Sequence, residues 1–254
     1  MKNEKHEFAF FSEEVARLIK EQHEYTFNDK ELVHRLGVIV RVKPGETSIF
    51  FNGDMHVQCE IVACSKKEVV VRVLARKKNL VIAPALTWLL PLLEREAFEE
   101  ALYALTAMGA TEIIPVITEK SRRAWGSEKE LERAHRIMVA SIEQSKQFCV
   151  PKIGATVKLA DAVDVRGSNT LGISALSTKI FFDAQGAPAF EVITKIRENV
   201  VEPVVCCVGP EGDLTQAEKE LMRTHGFVFC ALTPTILKAS AAVEVGMGLL
   251  RSCL

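Results

Sequence analysis

The feature that most limits what this chain can fold into is an alternation running from Leu86 to the last residues. Short apolar runs at 86–90, 112–116, 170–175, 204–208 and 227–231 are separated by longer stretches with helix-end signals. A helix over 94–108 should close at Gly109, the glycine expected just past a helix C-terminus. Further helices are predicted over 127–148, 188–199, 215–225 with Thr215 as cap, and 237–253. Repeated strand–helix units predict an α/β domain whose sheet is mostly parallel and covered by helices on both faces.

The first third reads differently. An aromatic strand at 6–11, a helix from a Ser12 cap to about residue 22 and a second helix starting at Asn28-Asp29 precede a β pattern. Strands are predicted at 38–42, 47–51, 57–64 and 68–74, joined by turns at Lys43-Pro44-Gly45-Glu46, Asn52-Gly53-Asp54 and Ser65-Lys66-Lys67. Short, evenly spaced strands of this kind suggest a small barrel or sandwich. With 254 residues in all, and domains of about 100–150 residues being usual, two domains are expected: 1–78 and 79–254. Lys66, Lys67, Arg72, Arg76, Lys77 and Lys78 against the single acid Glu68 form either a solvated face plus a linker or a patch for RNA phosphates.

Charge and composition exclude several classes. A net charge of −1 argues against a protein that coats nucleic acid without specificity. The seven cysteines form no CxxC pair and the six histidines no HxxxH or HExxH pattern, so neither a metal nor disulfides are expected. The charged start is followed by no apolar core of signal-peptide length, and no uncharged apolar segment is long enough to span a bilayer. A soluble cytoplasmic protein with no membrane partner is expected.

Chemistry gathers at two turns, Gly209-Pro210-Glu211-Gly212 and the run from Leu232 to Ala242. Each follows a predicted strand and precedes a predicted helix, so each is either a ligand loop at the place where open α/β sheets bind ligands or an ordinary strand-to-helix turn that needs Gly and Pro for geometry. There is no GxxxxGK[ST] loop and no GxGxxG after a strand. Glu211 disfavours phosphate, which needs a positive field, but suits a cationic or hydroxyl-bearing ligand such as the sulfonium or ribose of S-adenosylmethionine. The glycines would let backbone approach an adenine closely. No Ser-His-Asp or GxSxG arrangement suggests a covalent nucleophile. Thr118-Glu119-Lys120-Ser121-Arg122-Arg123-Ala124-Trp125 is either an exposed loop or a phosphate-contacting, base-stacking one.

Taken in order, several stretches resemble the RsmE family, the 16S rRNA uridine-N3 methyltransferases of the knotted SPOUT class. They are Arg41-Val42-Lys43-Pro44-Gly45-Glu46, Gly109-Ala110-Thr111-Glu112-Ile113-Ile114-Pro115, Thr118-Glu119-Lys120-Ser121, Glu143-Gln144-Ser145 with Val150-Pro151-Lys152-Ile153, Gly209-Pro210-Glu211-Gly212, and Leu232 to Ala242. The resemblance implies a PUA-like N-terminal β-barrel that binds RNA, a C-terminal SPOUT-type α/β domain with a trefoil knot, and a homodimer acting on 16S rRNA or the small ribosomal subunit. It also implies S-adenosylmethionine bound by three loops: Leu171 and Gly172; Gly209, Glu211 and Gly212; and Leu232, Thr233, Thr235, Ile236, Leu237 and Ala239.

The chain departs from the family's pattern mainly at polar positions. Gln147 replaces an Arg, Asp213 a Gly, and Thr235, Lys238 and Ser240 stand where Arg, Arg and Glu are usual. Uridine N3 must lose its proton before it attacks a methyl group, so a cation or base must stabilise the developing anion. Lys238, Arg122 and Arg123 are the catalytic candidates that remain. A knotted RNA-binding protein without turnover, or a methyltransferase with a changed target, are the alternatives.

Overall fold

The computed structural model describes residues 7–18, 23–164 and 176–254. The chain divides into two compact units, residues 1–80 with 142–149, and residues 81–141 with 150–254.

Among the described residues the first unit carries a five-stranded sheet in the order β1-β3-β4-β5-β2, built from β1 (Phe8–Phe11), β2 (Glu24–Phe27), β3 (Thr47–Phe51), β4 (Met55–Cys64) and β5 (Val69–Lys78). β1 runs parallel to β3, and the other pairs are antiparallel. The two-residue period of β4 turns Val57, Cys59 and Ile61 inward. They meet the rings of Phe10, Phe27 and Phe50, whose centroids lie 5.8 and 4.6 Å apart in sequence along the stack. The edge strands β1 and β2 are not paired with each other among the described residues, so the sheet is open and the expected barrel closure is not found.

Three local expectations change here. The predicted helix from Ser12 is seen only as a single turn, α1 (Val15–Leu18), residues 19–22 lying outside the described ones. Of the predicted strand 38–42, residues 38–40 are helical instead. Asp29 caps α2 (Lys30–His34) by accepting from Leu32 N at 2.7 Å, and the helix continues as a wider π-helical segment, Arg35–Val40. Leu32, Val33 and Leu36 are buried at helical spacing, which outweighs the β-branched run that follows them; the segment ends where Arg41 turns left-handed at φ 59°. β5 extends beyond its predicted end and stays paired with β4 as far as Lys78, so Arg76, Lys77 and Lys78 lie on a strand and not in a linker. Residues 142–149 complete this unit: Glu143 accepts from Phe11 N at 2.8 Å and pairs with Arg35, while Phe148 stacks on His56 at 4.5 Å.

Among the described residues the second unit carries a seven-stranded sheet whose pairs are all parallel. Its strands are β6 (Leu86–Pro91), β7 (Glu112–Ile117), β8 (Lys152–Ile153), β9 (Val157–Lys158), β10 (Lys179–Pro188), β11 (Val204–Val208) and β12 (Val228–Ala231). The order is β12-β10-β11-β6-β7-β8, with β9 also on β7. Alternate residues of the central strands enter different cores, as expected of a sheet buried on both faces. Trp88, Ile180, Phe182, Cys206 and Val208 join α3 (Arg95–Ala107), α6 (Ala189–Arg197) and α8 (Ala239–Cys253). Leu89, Phe181, Val205 and Cys207 join α5 (Leu159–Val163) and α7 (Gln216–Thr224). The remaining helix, α4 (Glu128–Ser145), adds Ala134 to the first of these cores.

The predicted helix ends hold at Gly109 (φ 76°) and at Thr215, whose side chain accepts from Glu218 N while Glu218 accepts from Thr215 N. The final helix begins at Ala239, later than predicted, because residues 232–238 are needed as a loop. The predicted strand 170–175 lies outside the described residues. β10, which the sequence reading lacks, pairs with both β11 and β12. Phe182 and Ala187 both register with Cys230, so residues 183–186 bulge out of the ladder. Gly186 makes this geometry feasible, since a Cβ there would lie 2.4 Å from Cys230 N.

Candidate functional site

At the carboxyl ends of β10, β11 and β12, the second unit opens a cleft of about 1770 Å³. Among the described residues, three loop segments line it: the β10 bulge with Asp183, Ala184 and Gln185, the turn Gly209–Asp213, and residues 232–240 leading into α8. Side chains from α3 and α4, residues 123–125 and Lys219 of α7 line it as well.

The turn after β11 is held from several directions. Asp213 N donates to Pro210 O at 2.8 Å, and Asp213 stands at φ 57°, a left-handed conformation that Asp tolerates better than most residues. Its Oδ1 accepts from Leu214 N at 2.7 Å. A Cβ at Gly209 would lie 3.1 Å from that same Oδ1, so a side chain there would press on the turn's own hydrogen bond. Glu211 Oε1 accepts from Glu94 N at 3.0 Å, joining the turn to the start of α3. Lys120 Nζ donates to Gly212 O at 2.6 Å, and Glu119 N donates to buried Glu218 at 2.8 Å. Thr118-Glu119-Lys120-Ser121 thus buttresses the turn and the N-terminus of α7.

The loop after β12 combines a small polar lock with an apolar surface. Thr233 Oγ1 donates to Thr235 O at 2.7 Å. Leu232 and Leu237 are half-buried, whereas Ile236 is 88% exposed. Lys238 occupies the N-cap position of α8 without a side-chain cap bond, leaving the first N–H groups of that helix free for another acceptor.

Cations and acids line the cleft together, and most are paired. Glu99 takes Arg133 and Arg95; hydrogen bonding from Arg133, against the opposing effect of burial and with help from Arg95, holds its carboxyl down at about 2. The Ser127 hydroxyl, ahead of the opposing burial and of the Ser127 and Gly126 backbone N–H groups, lowers the Glu130 carboxyl. Lys219 lies between Asp183 Oδ2 at 2.6 Å and Asp213 Oδ2 at 2.7 Å. Burial alone would lower its ammonium, but the hydrogen bonds to the two carboxylates raise it. Lys129 and Lys238 are the lining cations with no acid in ion-pair range among the described residues.

Of the residues singled out from sequence, Gly209, Glu211, Gly212, Leu232, Thr233, Thr235, Ile236, Leu237, Ala239, Lys238 and Arg123 line this one cleft. Leu171 and Gly172 lie outside the described residues. Arg122 is exposed and does not line it. Arg123 lines it but donates to Leu93 O at 3.2 Å and Glu130 at 3.4 Å, with its guanidinium 5.6 Å from the Phe98 ring centroid. Asp183, Gln185 and Lys219 are lining residues that sequence reasoning missed. Their one signal in the sequence is the charge at Asp213 where a glycine is usual, six residues before Lys219. Among the described residues no cluster of three or more His, Cys, Asp or Glu could hold a metal ion, and no helix is long and apolar enough to cross a membrane.

Residues 82–251 match the model of a family described as an RNA methyltransferase domain. A relative from Synechocystis sp., "Ribosomal RNA small subunit methyltransferase E", is 30% identical over 158 residues, 62% of this chain; the match spans half of that relative's length. A protein of the same name from Rickettsia conorii is 23% identical over 86% of both chains. In fold, the chain is similar to the Neisseria gonorrhoeae ribosomal RNA small subunit methyltransferase E crystallised with S-adenosyl methionine, at TM-score 0.75 and 20% identity over 97% of this chain and 98% of that one.

Proposed function

The chain belongs to the RNA methyltransferase domain family, and on that premise we propose that it is an S-adenosylmethionine-dependent methyltransferase acting on N3 of a uridine in 16S rRNA of the small ribosomal subunit. The observation that carries this reading is the convergence of the two sequence-identified turns, Gly209–Gly212 and residues 232–239, on a single cleft at the strands' carboxyl ends. The cleft's chemistry fits the cofactor. Leu232, Ile236 and Leu237 offer an apolar surface for an adenine, and the uncapped start of α8 offers N–H donors to a carboxylate or hydroxyl.

Bound there, S-adenosylmethionine supplies an electrophilic methyl carbon. The chain's own task is to orient an extruded uridine and stabilise N3 as its proton leaves. Lys238 is the group for that role: it lines the cleft beside the apolar wall and has no acidic partner among the described residues. Arg123, tied to Leu93 O and Glu130, contributes positive charge from the cleft wall.

The first unit serves as a PUA-like RNA-binding module whose basic strand end, Arg76 to Lys78, meets phosphate. The C-terminal segment forms the trefoil knot of the SPOUT class, and the enzyme works as a homodimer in the cytoplasm. Transfer of tritiated methyl from S-adenosylmethionine to isolated small subunits, followed by mass spectrometry of the labelled nucleotide, tests the reading. It predicts 3-methyluridine. A label on another atom would assign a different target, and full-affinity RNA binding without transfer would assign the non-catalytic alternative.

A further inference from the structure

Two of the described loop segments of the cleft are bridged by one buried cation. Lys219, in the first turn of α7, has a side chain only 7% exposed, and its ammonium reaches Asp183 Oδ2 at 2.6 Å and Asp213 Oδ2 at 2.7 Å. Each carboxylate uses its other oxygen to hold its own loop. Asp183 Oδ1 accepts from Gln185 N at 2.7 Å inside the β10 bulge, and Asp213 Oδ1 accepts from Leu214 N at 2.7 Å at the end of the Gly209–Gly212 turn. Asp183 is as buried as Lys219, at 5%, so that half of the bridge is shielded from solvent; Asp213 is 58% exposed. A buried ammonium left unpaired is costly, which gives the bridge a reason to stay closed.

The backbone makes the arrangement selective. Residues 183–186 have no register partner on β12 between Phe182 and Ala187, so side chains help to set the position of the β10 bulge relative to the β11 turn. Asp213 occupies a left-handed position where glycine would cost less strain, yet it supplies the second anchor for Lys219.

We infer that Lys219 is a positioning residue that clamps the β10 bulge to the Gly209–Gly212 turn at the spacing cofactor binding requires, with Asp183 and Asp213 as its two anchors. The inference rests on the cofactor reading above for its link to S-adenosylmethionine, but the clamp can be measured without it.

The experiment compares the unaltered protein with Lys219→Met, Lys219→Arg and Asp213→Asn. Asn also tolerates a left-handed backbone and can still accept from Leu214 N, so Asp213→Asn removes charge and little else. Amide hydrogen exchange at Gln185 and Leu214, on two different loops, is expected to accelerate about tenfold or more in Lys219→Met. Calorimetric titration with S-adenosylmethionine is expected to show affinity weakened about tenfold in Lys219→Met and partly restored in Lys219→Arg. Combining Lys219→Met with Asp213→Asn should add little to Lys219→Met alone, since both remove one interaction. Unchanged exchange at both amides in Lys219→Met overturns the clamp; should that variant fail to fold, unchanged exchange at Leu214 in Asp213→Asn overturns it. If exchange accelerates but the unaltered protein binds no S-adenosylmethionine, the clamp stands and the cofactor reading falls. If exchange accelerates and affinity is unchanged in the folded variants, the positioning role is overturned.

Discussion

Glu99 shows how single side chains set the charge of the cleft. Its carboxylate is forked by Arg133, with Nη2 to Oε2 at 2.7 Å, and is also met by Arg95 one helical turn away. Because its carboxyl is held at about 2 in the folded chain, against 4.5 ordinarily, the pair's contribution is fully present above about pH 4.5 and lost as pH falls towards 2. Glu99→Gln should therefore lose stability at pH 7 and show a flatter dependence between those values, measured by denaturant unfolding. Lys238→Ala should lower the rate of methyl transfer on the order of 10²-fold, the scale of one lost electrostatic contact in a transition state, and change cofactor affinity less. The residues legible in the sequence were those that loop geometry demands, such as Gly209, Gly212 and Thr215. Lys219 and Asp183 were not legible, because their pairing joins residues far apart in the chain whose individual positions look like solvated charges.

At the scale of elements, the parallel strands β6, β7 and β11 read clearly because both of their faces are buried. β10 did not. Only Ile180-Phe181-Phe182 is apolar there, and Asp183 and Gln185 look like loop residues, which within the bulge they are. Gly186→Ala tests that bulge directly. Its methyl would lie 2.4 Å from Cys230 N and 2.5 Å from Phe229 C, so β10 and β12 must separate. The expected cost is about 1–3 kcal/mol or more, read from chemical denaturation, with loss of amide protection at Cys230. Thr215→Ala removes one half of the capping box of α7 and should cost about 1 kcal/mol. The strand expected at 38–42 failed for a different reason: the period-two pattern of Val38, Val40 and Val42 competed with helical burial of Leu32, Val33 and Leu36, and the core favoured the helix.

At the scale of the whole molecule, the opening segment of the first unit runs to Leu80. That unit also includes residues 142–149, which no composition shift marks. A fragment ending at residue 80 would remove Glu143, the acceptor of Phe11 N and the partner of Arg35, and the Phe148 ring that stacks on His56. Such a fragment should be less stable than the same unit in the full chain, with faster amide exchange at Phe11. The family's stretches were readable because turn chemistry repeats them in order, whereas the cleft's lining from α3, α4 and β10 exists only once the sheet has formed.

The central claim is that this cleft holds S-adenosylmethionine for transfer to a uridine. The direct measurement is incubation of the full chain with S-[methyl-³H]adenosylmethionine and unmethylated small subunits, with mass spectrometry of the digested rRNA. A single 3-methyluridine in 16S rRNA is expected, formed on the order of 10²-fold more slowly when Lys238→Ala replaces the unaltered protein; rRNA that stays unlabelled while the unaltered protein binds the subunit is the opposite result.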